Sequence, residues 1–338
     1  MAAPNGGPSL DSERRRELAD SFQDGGEHYE RVRPGYPEES LTWLLSGTDP
    51  AGVLHATDPN AMDLRASDLR ASDLRASDPK GTELSALGPN TPGLNALDIG
   101  AGTGKFTVRL AERGLTVVAL DPSRDMLRQL EHRLPGVRTI LGAAERIELP
   151  DSSMDLVTVA QAWHWIDPLS ASAEIARVLR PGGVLGLVWN QLDVSVPWVH
   201  RLSRIMHAGD VHKPDFRPLL GPEFSTPQLQ LNHWFQPLTP GDMMELVKSR
   251  SYYLRANEAT RAKVLANLRW YLFEHLGHDV DDILPLPYLT QTWRATALPR
   301  QGMGRHPSAA KGRAGQGRAG RSGGFTSLLP LDRTGLRT

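Results

Sequence analysis

Between residues 94 and 189, short apolar runs recur with longer, one-sided segments between them. Leu94–Ile99, Thr116–Leu120, Val137–Leu141, Leu156–Gln161 and Val184–Trp189 are each the length of a strand and mainly apolar. That is the pattern of parallel strands covered on both faces. Lys105–Arg113, Ser123–Arg133 and Leu169–Leu179 separate them with helical periodicity. Strand alternating with helix predicts a doubly wound α/β sheet. Further on, Gln228–Phe235 and Leu286–Ala295 predict two more strands, bringing the total to seven. Helices at about 240–250 and 257–276 divide that last pair, and Thr239-Pro240 supplies a cap and first turn for the former.

Two stretches break the pattern. Residues 49–93 are rich in Ala, Ser, Asp, Pro and Gly and carry a tandem pentapeptide, Asp63-Leu-Arg-Ala-Ser67, repeated from Asp68 and from Asp73. Its unit resembles that of pentapeptide β-helices, but three copies are too few to stack into a core, so the stretch reads as an insertion without its own fold. After about Pro299 the chain turns to Gly, Ala, Ser and Arg and loses apolar periodicity. Gly320-Arg-Ser322-Gly-Gly324 there matches a G-x-S-x-G elbow in letters only, because no strand precedes it and no helix follows. The expected organisation is a flexible N-terminus (1–20), one catalytic domain (21–298) interrupted at 49–93, and a disordered basic tail (299–338).

Composition then removes whole classes of function. Hydrophobic residues at 39% and charged residues at 23% describe an ordinary globular chain. There is no cysteine, which excludes disulfides, thiolate metal sites and cysteine nucleophiles. No apolar run approaches a membrane span of about 20 residues, and the N-terminus lacks the apolar stretch of a secretory signal, so a cytoplasmic address is expected. The net charge of −1 hides an asymmetry. Residues 300–338 hold eight bases and one acid, leaving 30 bases against 38 acids before them. An acidic body repels phosphate backbones and does not read as a nucleic-acid binder.

The chemistry is concentrated at the end of the first strand, in Leu97-Asp98-Ile99-Gly100-Ala101-Gly102-Thr103-Gly104-Lys105. Glycines in that position let backbone approach a ligand at the carboxyl edge of the sheet. A P-loop would need Gly at 99 and Ser or Thr at 106, where the chain has Ile99 and Phe106. A dinucleotide loop would need Gly at 105, where Lys105 stands. The second strand ends on Asp121, whose carboxylate suits two ribose hydroxyls. On its own, Asp121 could equally be the N-cap of the next helix.

L-D-I-G-A-G-T-G, A-L-D-P-S-R-D-M-L, D-L-V-T-V-A-Q-A-W-H-W and R-V-L-R-P-G-G, in that order, resemble the successive motifs of class I S-adenosylmethionine-dependent methyltransferases, most closely methyltransferase type 11. The resemblance spans about residues 20–46 and 94–298. Ser21-Phe22, Tyr29 and Arg33-Pro-Gly-Tyr36-Pro37 are similar to the N-terminal lid of the branch containing trans-aconitate methyltransferases. It implies a Rossmann-like, mostly parallel seven-stranded sheet with helices on both faces. Asp98, Gly100, Gly102 and Gly104 would surround the methionine part of the cofactor, and Asp121 would hold its ribose. Met126, Ala144, Glu145 and Gln161 would complete the cofactor site. The family's G-D-A-E is here Gly142-Ala143-Ala144-Glu145, so backbone groups or Glu145 would replace the missing Asp at the adenine.

A sulfonium methyl needs only an aligned nucleophile. His164, just past the fourth strand, is the expected catalytic base or hydrogen-bond donor. Tyr29, Arg33, Tyr36, Trp163 and Trp165 would bound the acceptor, with Arg33 forking onto an acidic group. The expected partner is a small molecule, a carboxylate or hydroxyl acceptor, with no obligate protein partner evident. His275 with His278 and His200 with His207 read as solvated helix faces, and no metal is expected. The tryptophans at 189, 198, 234 and 270 read as packing residues. Three alternatives remain from sequence: a cofactor-binding protein without catalysis, an NAD-dependent oxidoreductase, and an RNA methyltransferase guided by the basic tail.

Overall fold

A computed structural model describes residues 32–48, 93–207, 212–213 and 215–299. The N-terminus with Tyr29, the repeat-bearing stretch 49–92 and the tail from 300 lie outside the described residues. Seven strands form one sheet: β1 (Asn95–Ile99), β2 (Thr116–Asp121), β3 (Arg138–Leu141), β4 (Met154–Ala160), β5 (Leu179–Leu192), β6 (Gln228–Leu238) and β7 (Leu284–Thr296). Their order is β3-β2-β1-β4-β5-β7-β6. The pairs from β3 to β5 are parallel, and β7 runs antiparallel between β5 and β6. Chain order reverses between β1 and β4, which opens a crevice at their carboxyl ends where such sheets take ligands.

The apolar runs become strands because both faces are covered: β1 and β2 are buried along nearly their whole length. On one face lie α1 (Glu38–Leu45), α2 (Thr107–Glu112) and α3 (Arg124–Arg133); the other carries α4 (Pro168–Val178). Leu41 and Leu44 of α1 pack with Phe106 and Leu110 against Ala96, Leu156, Val184 and Val188. Ile175 and Val178 of α4 join Trp163, Trp189 and Trp293 on the opposite face. Asp167 caps α4 by accepting from the Ser170 N–H at 2.9 Å, with Pro168 in the first turn.

A second apolar cluster forms a cap at the carboxyl edge. It is built from α5 (Pro197–Ile205), α6 (Pro240–Lys248), α7 (Ser251–Arg255) and α8 (Glu258–Arg269), the last running into a π-helical segment, Trp270–His275. Val199, Leu202, Met243, Leu246, Leu268 and Tyr271 fill it, over Leu192, Leu286 and Tyr288 of the sheet. The predicted Thr239-Pro240 start is a complete capping box with Asp242. No helix of the described residues is long and apolar enough to cross a membrane.

Candidate functional site

The end of β1 must turn sharply under the crevice, and the glycines make that turn possible. Gly100, Gly102 and Gly104 all adopt positive φ, at 67°, 56° and 89°. The Gly100 and Ala101 N–H groups donate to the Leu120 carbonyl at 2.7 and 3.2 Å, clamping the loop to β2. A Cβ on Gly100 would stand 2.4 Å from the Ala162 Cβ, so β4's exit leaves room only for glycine. Among the described residues nothing lies within 4 Å of where a Cβ on Gly102 would be, so no described side chain covers the backbone there.

Two buried carboxylates hold this loop from different sides. Asp98 is 1% exposed and accepts from the Thr107 hydroxyl at 2.7 Å and the Thr158 hydroxyl at 2.9 Å. It ties β1 to the first residue of α2 and to β4, underneath the loop rather than on its open side. Burial pushes its pKa up to about 6, against the lowering pull of the two threonines, and Asp121 adds a small repulsion. Asp121 accepts from the Gly102 N–H and the Ser123 N–H, both at 2.8 Å. Desolvation raises its pKa, with those two backbone bonds opposing. Ser123 is the N-cap of α3, accepting from the Met126 N–H at 3.4 Å, so Asp121 is not that helix's cap. Each Asp121 oxygen has made one bond and retains a lone pair for another donor.

The neighbouring wall is apolar. Met126 and Ala144 are 8% and 3% exposed. Glu145 gives one carboxylate oxygen to the Asp167 N–H at 2.9 Å, at the start of α4. The Gly142 N–H donates to the Asp121 carbonyl at 3.2 Å, so β3's exit hangs on the same Asp.

Past β4, Gln161 adopts φ 58° and bonds twice to β5: its N–H to the Val188 carbonyl and its Nε2 to the Asn190 carbonyl, both 2.8 Å. Trp163, expected in the acceptor site, instead turns into the core. It is fully buried, and its Nε1 donates to the Leu219 carbonyl at 3.3 Å. The reason is local: a tight 3-10 turn over Trp163–Trp165 sends its first ring inward and leaves His164 and Trp165 half-buried, their rings 4.6 Å apart.

The lid is stitched to the sheet. Asn190 Nδ2 donates to the Gly35 carbonyl at 2.7 Å, and Gln236 Nε2 to the Val32 carbonyl at 3.1 Å. Tyr36 is buried, edge-on to Phe106 at 5.0 Å, which seats the lid against the residue following the loop. Arg33 corrects the expectation of a free fork. Its Nε donates to Ser249 Oγ at 3.0 Å and its Nη2 to the Ser249 carbonyl at 2.6 Å, so the bidentate edge is already engaged at the end of α6.

The polar line that fixes the lid has no signature in the sequence. Thr290 Oγ1 donates to Asn190 Oδ1 at 2.6 Å, and Trp234 Nε1 donates to Thr290 Oγ1 at 2.8 Å. Trp234 also stacks on Tyr288 at 5.2 Å. Tyr288 is buried, its hydroxyl has no hydrogen-bond partner among the described residues, and desolvation pushes its pKa up to about 12. The only early signal was Asn190 itself, a polar residue closing an apolar strand. Among the described residues no three acidic or histidine side chains gather as a metal site.

Residues 97–187 match the family described as Methyltransferase domain. An uncharacterized methyltransferase of Mycobacterium bovis is 40% identical over 283 residues, covering 83% of this chain and 98% of that protein. Malonyl-[acyl-carrier protein] O-methyltransferase of Serratia marcescens is 37% identical over 127 residues, 33% of this chain and 50% of that one. A solved structure assigned as a type II methyltransferase from Anaeromyxobacter dehalogenans shares the fold, with a TM-score of 0.50 at 24% identity, over 79% of this chain and 99% of that chain.

Proposed function

The chain belongs to the class I S-adenosylmethionine-dependent methyltransferases, and from that premise we propose that it methylates an oxygen of a small acceptor, a carboxylate or a hydroxyl, in the crevice between the glycine loop and the lid. One observation supports the cofactor assignment above the rest. Asp121, 7% exposed, stands at the rim of bare Gly102 backbone with an acceptor position to spare on each oxygen. That pairing fits a ribose with two adjacent hydroxyls beside a chain that must lie against backbone.

When bound, S-adenosylmethionine supplies an electrophilic sulfonium methyl, so the protein's part is alignment. Asp121 would accept from both ribose hydroxyls, and Gly100, Gly102 and Gly104 would let the methionine part lie close. Asp98 acts from beneath by fixing the loop. Met126 and Ala144 would wall the adenine, with the Gly142–Glu145 backbone supplying polar contacts. Gln161 shapes the exit of β4, and His164 would meet the acceptor there with Trp165 at its side. For a hydroxyl acceptor His164 holds the departing proton on a ring nitrogen; for a carboxylate it donates a hydrogen bond. Tyr29 and Tyr36 would belong to the lid, Tyr36 through its seat on Phe106. The O-methyltransferase name of the Serratia relative supports oxygen over nitrogen.

Incubation with methyl-labelled S-adenosylmethionine and a panel of small carboxylic acids and phenols tests the reading. Label in an ester or ether is expected. With a phenol, His164→Ala should depress kcat; with an acid it should act mainly on KM. Label found only on amines, or none with the cofactor bound, would overturn the acceptor assignment.

A further inference from the structure

Between α5, α7 and α8 the cap opens a cavity of about 750 Å³. It shares no residue with the glycine loop, the β4 turn or the lid. Among the described residues its walls carry His200, Arg201, Arg204, His207 and Lys263, and no acidic residue. On α5 the arrangement follows from spacing. Val199, Leu202 and Ser203 face the core, which leaves His200 and Arg204, at i and i+4, on the cavity side, while His207 joins the wall from just past the end of the helix, where its φ is 48°. Arg201 and Arg204, three residues apart on the same helix, are like charges, and such a pair destabilises a helix.

Elsewhere among the described residues, an opposite charge stands beside such cations. Arg109, Arg128, Arg177 and Lys248 each pair with a carboxylate on their own helix or close by. Among the described residues, none of the five side chains in the cavity has an acidic partner. Arg201 is held instead by rings, its guanidinium 5.5 Å from the centres of both Trp270 and Tyr271. A cation fixed by aromatic faces stays charged and oriented, with its hydrogen-bonding edges available to a ligand. At one side the His207 ring stacks on Tyr252 at 4.0 Å, giving the cavity a flat aromatic wall.

We propose that this cavity is a second ligand site, and that it binds a nucleotide-sized molecule through two adjacent phosphates. Arg201 and Arg204 present forks suited to phosphate oxygens, and Lys263 faces them from α8 as a point charge. His200 and His207 add imidazole donors. The volume falls within the range of small-ligand sites, which favours a small molecule over a polymer track. A phosphorylated acceptor and a free nucleotide share this chemistry.

Calorimetry on the full chain with inorganic pyrophosphate and with ADP, at matched ionic strength against chloride, tests the proposal. Binding below 1 mM is expected for at least one of the two. ADP binding at least fivefold tighter than pyrophosphate would assign the source to a nucleotide lying on Tyr252. Equal affinity would assign recognition to phosphate alone, as on a phosphorylated acceptor. Arg204→Ala with Lys263→Ala should weaken either ligand tenfold or more while melting temperature and S-adenosylhomocysteine affinity stay at the parent's values. Asp121→Ala should do the reverse, losing S-adenosylhomocysteine but keeping pyrophosphate, so failure at one site is distinguishable from failure at the other. Undiminished binding in the double variant overturns the proposal. So does a parent chain that takes up neither probe, or one that binds an oligouridylate while ignoring both.

Discussion

Asp98 and Asp121 are buried carboxylates at the ends of neighbouring strands, yet they differ in what is left over. Both Asp98 oxygens are met by threonine hydroxyls under the loop, whereas Asp121 accepts only backbone N–H groups and borders open space. Asp98 therefore acts on the fold, and Asp121 is the carboxylate proposed for the cofactor. Because the folded pKa of Asp98 is raised from 3.8 to about 6, the folded state holds its proton more tightly than the unfolded chain. Its stabilising contribution is present below pH 3.8 and is lost as pH rises through 6, a penalty of about 3 kcal/mol above that. Asp98→Asn should remove this dependence, so the stability difference between variant and parent should grow across pH 4–6.5 in urea titrations. A constant difference would mean the carboxylate is already charged at low pH. Asp121→Ala should instead weaken S-adenosylhomocysteine binding by about 2–3 kcal/mol, as for lost charge-assisted hydrogen bonds, read by calorimetry. Equal affinities would remove Asp121 from the cofactor site. Asp98 and Asp121 were both visible in the sequence because each ends an apolar run. Asp98's place beneath the loop was not, since Thr107 and Thr158 reach it only after α2 and β4 pack.

At the scale of elements, the glycine loop separates backbone need from space. Gly100 and Gly102 both have positive φ, but only Gly100 is pressed from outside, by Ala162. Gly100→Ala should therefore cost about 2–5 kcal/mol of stability, from left-handed strain and overpacking together. Gly102→Ala should cost about 1–2 kcal/mol from strain alone, while placing a methyl where the proposed cofactor would lie. Thermal melts and cofactor titration should thus rank the two variants in opposite orders, and the same order in both would discard the loop's role as a binding surface. The central strands of this region are legible because burial on both faces writes itself as mainly apolar sequence. Helices α1, α5 and α7 were not predicted. Val199, Leu202 and Met206 give α5 a core face, but the cationic residues between them obscure the stripe, and the cap that buries it comes from residues 240–288. The long β5 was also underread, since Arg180–Gly183 looks like a turn and joins the strand only through its neighbours.

For the whole molecule, the described strands and helices already make one sheet covered on both faces. Leu41 and Leu44 of α1 pack directly with Ala96, Leu156, Val184 and Val188, so the chain on either side of residues 49–92 already meets. Both junctions are complete in themselves. Thr48 ends α1 with its N–H and its hydroxyl donating to the Leu45 carbonyl at 2.9 and 2.7 Å, and the Leu94 carbonyl accepts from Thr116 N–H at 2.9 Å as β1 begins. The order β3-β2-β1-β4-β5-β7-β6 was not readable from periodicity, which counts strands but not their neighbours; the motif series carried it through resemblance. The three copies of Asp-Leu-Arg-Ala-Ser have too little apolar surface to form a core of their own. Replacing residues 49–92 with a Gly/Ser linker of roughly a dozen residues should then leave the fold intact. Loop-closure entropy grows only logarithmically, so shortening the connection should stabilise the chain by about 1 kcal/mol. The measurement is urea unfolding of the linker variant beside the parent, with S-adenosylhomocysteine affinity as a second reading. A loss of several kcal/mol would show that the repeats pack on the domain. Unchanged stability with weakened binding would move the repeats to the crevice.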